Sequence, residues 1–206
     1  MMFSTSVFST ALLAAAPDES KVVEQIVSDN VARLLEKYNV ERKYYATDPN
    51  RFLTSMDAAL SEIVDFRRIA ARVMGKYGRM ATSEQKDRFV EIFKKSLYGA
   101  YTRTLVESGV YKINVKSAEI NTRSDDRATV NLDVLTENGT VYPVVYSMHK
   151  TDTGAWLLEN VIVFGVNIGL AFRDRFETQY SKNKGDLDAV INTWTVDLKL
   201  KKDKEA

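Results

Sequence analysis

Cysteine is absent from the 206 residues, so disulfides and thiolate chemistry are excluded and any redox compartment is permitted. Histidine occurs once, at His149, which leaves too little material for a histidine-rich metal site or a histidine-dependent catalytic triad. An excess of charge of one sign is lacking too. Lys and Arg number 29 against 28 Asp and Glu, a formal charge of +1, which supplies neither a basic field for nucleic acid nor a polybasic clamp for an anionic membrane. After the N-terminal segment no run approaches the roughly 18 apolar residues that span a bilayer, so the mature protein is expected to be soluble, without a transmembrane segment. Internal repeats, low-complexity runs, Gly-rich phosphate loops and an evident linker are missing as well. What remains is a chain long enough for one domain with a full apolar core.

Residues 1–16, MMFSTSVFSTALLAAA, are small and apolar and end in Ala14-Ala15-Ala16 before charge begins at Asp18. They read as an export signal, although no Lys or Arg precedes Lys21 and Pro17 follows the expected cleavage site. The domain is then 17–198, with 199–206 a disordered tail.

The first half has helical periodicity. Over 21–38, Val23, Ile26, Val27, Val31, Leu34, Leu35 and Tyr38 form one stripe. Asp48-Pro49 supplies an N-cap and a first-turn proline for a helix carrying Phe52, Met56, Leu60, Ile63 and Val64. A second piece over 62–78 aligns Phe66, Ile69, Ala70, Val73 and Tyr77. Thr82 and Gln85 form a capping-box pair for the longest helix, with Phe89, Ile92, Phe93, Leu97, Ala100, Tyr101 and Leu105 on one face and Gly109 as its stop.

From Val110 the period becomes 2. Tyr111, Ile113 and Val115 alternate with polar residues, then Val130, Leu132 and Val134. Asn138-Gly139 signals a tight hairpin into a strand over 141–150 bearing Tyr142, Val144, Tyr146 and Met148. In the fourth strand, alternation sets Trp156, Leu158, Ile162 and Phe164 on one side and Leu157, Val161 and Val163 on the other, so both faces are apolar. Gly165 suits a bend, Asn167 an N-cap for a helix from Ile168 to about Lys182, and a short helix follows over 186–194. Helices, then a four-stranded antiparallel meander, then helices make an α+β fold.

Nothing marks a catalytic pair. Asp125 and Asp126 read as turn formers, and His149, opposite the apolar positions of its strand, as a solvated residue. Arg173 and Arg175 could meet an anionic headgroup or pair with Asp174 and Glu177. Periodicity does not distinguish a filled core from a ligand cavity, since both use the same residues.

The run Asp65-Phe66-Arg67-Arg68-Ile69-Ala70-Ala71-Arg72-Val73-Met74-Gly75-Lys76-Tyr77 is followed by Ala81-Thr82, Gln85, Phe89, Phe93 and Leu97. Trp156, Gly165-Val166-Asn167 and Phe172-Arg173-Asp174-Arg175-Phe176 complete a pattern over roughly 22–195 that resembles the MlaC, or toluene-tolerance auxiliary, family. The chain departs from it at Gly78, where an aromatic is expected, at Asn160 for Asp, at Phe164 for an acidic residue and at Asn167 for Ser.

The resemblance implies a periplasmic phospholipid carrier and a nuclear-transport-factor-like cone of helices on a curved sheet. It implies a monomer that moves lipid between an outer-membrane lipoprotein complex and an inner-membrane ABC transporter complex with an MCE-type subunit, keeping the outer leaflet asymmetric. Phospholipid would be cargo, with no other cofactor, no metal and no catalytic residue. The acyl chains are then expected between the sheet residues Ile113, Val115, Leu132, Val134, Val144, Tyr146, Val161 and Val163 and the helical residues Phe66, Ile69, Val73, Phe93, Leu97, Tyr101, Phe172 and Phe176. Two rivals stay open: an enzyme or small-ligand binder of the same fold using His149, Tyr146 and Asp133, and a protein-interaction adaptor with a filled core.

Overall fold

The computed structural model describes residues 18–196, so the export-signal and tail readings lie outside the described residues. Four helices come first: α1 (Glu19–Glu41), α2 (Pro49–Ser61), α3 (Phe66–Met74) and α4 (Ser83–Ser108). Strands β1 (Val110–Asn121), β2 (Ser124–Thr136), β3 (Val141–Lys150), β4 (Trp156–Val163) and β5 (Val166–Asn167) follow, then α5 (Ile168–Lys182) and α6 (Leu187–Asn192). The α+β order expected from the sequence is the order observed. No helix among the described residues is long and apolar enough to cross a membrane.

Side-chain caps set where each α-helix begins. Asp48, Thr82 with Gln85, and Asn167 cap α2, α4 and α5 as their positions suggest; Asp18, Asp65 and Asp186 do the same for α1, α3 and α6. The piece expected over 62–78 is shorter, because Asp65 starts α3 and Gly75, at φ 54°, turns the chain into a 3-10 segment over Gly75–Arg79.

The strands pair antiparallel in chain order, β1 to β5, so the sheet has five strands, not four. Phe164 and Gly165 both take positive φ, 49° and 74°, which folds Val166 and Asn167 back onto Val163 and Ile162. Two residues are too few to show alternation, which is why β5 is silent in the sequence. The turn between β1 and β2 also falls earlier than expected. Asn121 accepts from the backbone N–H of Arg123 at 2.9 Å, so Asp125 and Asp126 lie inside β2 and are not turn residues.

Strict alternation fails in β4. Met148 pairs with Leu158 but Ser147 pairs with Asn160, so Glu159 is an extra residue at a β-bulge. The bulge reverses parity: Leu158 and Trp156 share a face with Val161 and Val163, which sequence alternation placed opposite. All eight sheet positions named above, Ile113 to Val163, therefore lie on one face, packed in a cluster with Val23, Val27 and Val31 of α1. A second cluster stands beside the sheet, where Phe89 and Phe93 of α4 meet Phe172 and Phe176 of α5 and Trp194 after α6. The seam between the two clusters is the place to look for a site.

Candidate functional site

At that seam α3, α4 and α5 stand off from β4 and leave a cavity of about 260 Å³. Phe66 and Ile69 come from α3, Phe93, Leu97 and Tyr101 from α4, Phe172 from α5 and Val161 from β4. These seven are positions that the sequence nominated. Most are only half-buried although large and apolar, as expected of side chains with space over them.

The other nominated positions lie elsewhere. Val73 and Phe176 are fully buried in the helical cluster. Ile113, Val115, Leu132, Val134, Val144 and Val163 belong to the sheet-face cluster that includes Val23, Val27 and Val31 of α1. Tyr146 lines a separate void of about 50 Å³ under α1, its hydroxyl pKa pushed up by burial. Leu60, Val64 and Leu158 line both spaces and so form the partition between them.

Several wall residues escaped the sequence reading. Leu60, Val64 and Leu105 sit on helical stripes that were legible, but nothing marked them as cavity-facing. Leu158 was assigned to the wrong side by the unseen bulge. Ile168 and Gly169 line the cavity because β5 sets the first turn of α5 against β4. Gly169 is required by close approach: a Cβ there would lie 2.5 Å from Asn160 Oδ1, which accepts the Gly169 N–H at 3.0 Å. Asn160 Nδ2 in turn donates to Asn167 Oδ1 at 3.1 Å, so this amide pair holds β4 to the start of α5 at the cavity rim.

Tyr98 adds a further polar group to the wall. Tyr98 donates its hydroxyl to Asp57 Oδ1 at 2.7 Å, and Lys94 Nζ lies 2.7 Å from the same oxygen. Burial, then the bond to Asp57, pushes the Tyr98 hydroxyl far above the usual phenol range. Burial alone would raise the Asp57 carboxyl, but hydrogen bonds from Lys94 and Tyr98 outweigh it and hold it below the usual carboxylate range.

Behind the cavity, the bulged Glu159 is 5 % exposed and receives Arg68 at 2.6 Å, Arg72 at 2.9 Å and Arg127 at 2.6 Å. His149 is buried, 4 % exposed, with Nε2 at 3.0 Å from Asp65 Oδ2, so the expectation of a solvated histidine is corrected. Alternation gave the face rightly. That face is covered because the segment 63–65 runs beside Leu158, which donates to the Ile63 carbonyl while its own carbonyl accepts from Asp65, each at 2.9 Å. Asp65 thus caps α3 with one oxygen and holds His149 with the other.

The set His149, Tyr146 and Asp133 is not assembled. Tyr146 faces α1, and Asp133 pairs with Lys116 at 3.2 Å. Glu177 pairs with Lys76 at 2.7 Å, and Arg175 donates to Thr195 Oγ1 at 3.0 Å, while Arg173 lines a neighbouring space together with Arg72 and Glu159.

Residues 28–196 match the family model described as MlaC protein. The chain is 37 % identical over 189 residues to toluene tolerance protein ttg2D of Pseudomonas putida, covering 89 % of this chain and 86 % of the relative. It is 20 % identical over 170 residues to the intermembrane phospholipid transport system binding protein MlaC of Haemophilus influenzae, covering 82 % and 78 %. Among solved structures, the phospholipid-binding protein of Ralstonia solanacearum, determined in complex with a phospholipid, shares the fold at a TM-score of 0.67 and 20 % identity, covering 85 % of this chain and 93 % of that one.

Proposed function

The chain belongs to the MlaC family, and we propose that it is a periplasmic phospholipid carrier whose cargo chains occupy the seam between α3, α4, α5 and β4. The cavity carries the reading: large apolar side chains from α2, α3, α4, α5 and β4 converge on space that no other part of the described chain fills. In the cell it works between an outer-membrane lipoprotein complex and an inner-membrane ABC transporter complex with an MCE-type subunit. Phospholipid is cargo, and no side chain does covalent work.

A two-chain lipid of about thirty methylenes gains on the order of 25 kcal/mol when withdrawn from water, at roughly 0.8 kcal/mol per CH₂. Free diffusion through water is therefore closed to it. Against a bilayer the same pocket offers almost no net gain, so transfer is close to balanced and the partners set its direction. At about 260 Å³ the cavity lies below the roughly 300–1,000 Å³ of ordinary small-molecule sites. Two acyl chains require it to widen, and the partition of Leu60, Val64 and Leu158 is where it opens into the space beneath α1.

Transfer of labelled phospholipid from donor to acceptor vesicles tests this. The unsubstituted chain accelerates transfer; Leu97→Trp, which projects an indole into the cavity, lowers it about ten-fold or more by displacing methylenes worth roughly 0.8 kcal/mol each. Transfer undiminished in a folded Leu97→Trp protein would refute the assignment.

A further inference from the structure

Beside the apolar cavity lies a second, polar one of about 390 Å³, and the two share Ile69, Asn160 and Gly169 along a common edge. Arg72 and Arg173 stand on its wall with one carboxylate, Glu159. That carboxylate is already shared by three guanidiniums, so Arg72 keeps donors to spare. Arg173 makes no direct salt bridge among the described residues; the nearby Glu177, whose carboxyl pKa is lowered by Lys76 and to a smaller extent by Arg173, is bonded to Lys76 at 2.7 Å, and the Arg173 stem lies across Gly75, where a Cβ would stand 3.3 Å from Arg173 Cδ. The first amides of α5 are not available to a ligand here: Gly169 donates to Asn160 and Leu170 to Asn167. Cation exceeds anion on this wall, and the excess sits on the two arginines.

We propose that this polar cavity is a phosphate subsite, in which Arg173 and Arg72 hold the phosphodiester of a lipid whose chains pass the Ile69–Gly169 edge into the apolar side. The proposal rests on the carrier reading above. A guanidinium fork matches the paired oxygens of a phosphate, and a contact to a charged group is stronger than a neutral one. Phosphate is what all glycerophospholipids share and diacylglycerol lacks. Recognition at this point selects phospholipids from uncharged lipids while leaving the group beyond the phosphate unread.

The full chain, stripped of lipid, is incubated with vesicles containing phosphatidylglycerol and diacylglycerol in equal amounts, and the bound lipid is extracted and weighed by mass spectrometry. Phosphatidylglycerol exceeds diacylglycerol by about ten-fold or more in the unsubstituted chain. Arg173→Ala brings the ratio towards that of the vesicles, Arg173→Lys restores part of it, and Leu97→Trp lowers both lipids together. Equal binding of the two lipids by the unsubstituted chain, or a ratio untouched by Arg173→Ala, overturns the subsite and leaves the carrier reading standing. Binding of neither lipid overturns the carrier reading itself. Inorganic phosphate separates the two sources of the same chemistry. With lipid phosphate seated, the free ion leaves the Arg173 Nε–H NMR signal of loaded protein unmoved; a shift as large as in stripped protein would assign the site to free phosphate and overturn the lipid subsite.

Discussion

Gly169 and Asn160 meet at the rim where β4 hands over to α5, and their contact leaves no room for a methyl group. Gly169→Ala therefore breaks the bond from the Gly169 N–H to Asn160, at about 1–3 kcal/mol, read as a lowered thermal midpoint. Phe89 illustrates the opposite case. It is fully buried against Phe93, Phe176 and Trp194, away from the cavity. Phe89→Ala costs about 3–5 kcal/mol of stability, while lipid transfer per folded molecule is retained. Residue identity alone did not separate these roles: Phe89 and Phe93 share one helical stripe, yet only Phe93 lines the cavity. His149 was equally illegible, since alternation names a face but not what covers it, and its cover comes from Asp65, far away in sequence.

At the scale of elements, the signals that were local were readable. Caps at Asp48, Thr82 and Asn167, the stop at Gly109 and the change of period at Val110 all depend on neighbours in the chain. The bulge at Glu159 is not local. It exists because a carboxylate there is held by Arg68, Arg72 and Arg127 from α3 and β2, and it moved Leu158 onto the face of Val161. Of α2 only Phe52 is buried, so this helix is the least anchored part of the cavity wall. Hydrogen exchange across 49–64 is expected to be faster in stripped protein than in lipid-loaded protein, and equal exchange would mean that α2 takes no part in widening the cavity. Asp57, on the same helix, adds a pH dependence. Its folded pKa lies below its ordinary value of 3.8, so the contact to Lys94 and Tyr98 contributes stability above that value and loses it as pH falls through the ordinary and then the folded pKa. Asp57→Asn removes that part of the acid-side slope in a thermal melt taken across pH 5 to 2.

For the whole molecule, a near-neutral charge argued only against a charge-steered binder, the carrier reading came from the family resemblance, and the order of helices, meander and helices indicated the fold class. The eight sheet positions do share a face, but α1 lies over most of it, and only Val161 reaches the main cavity. Periodicity had no means of showing this, because α1 is joined to the sheet by contacts between distant parts of the sequence, as where Lys150 and Trp156 donate to Glu19. The apolar interior is thus divided into a half under α1 with a void of only about 50 Å³ and a half under α3, α4 and α5 with a cavity of about 260 Å³, and the carrier reading depends on that second half being able to take lipid. Native mass spectrometry of the purified protein, followed by organic extraction, tests this most directly. A stoichiometric increment of diacyl phospholipid with mixed headgroups is predicted; a bare polypeptide mass, even after incubation with vesicles, would contradict it and make the seam ordinary core.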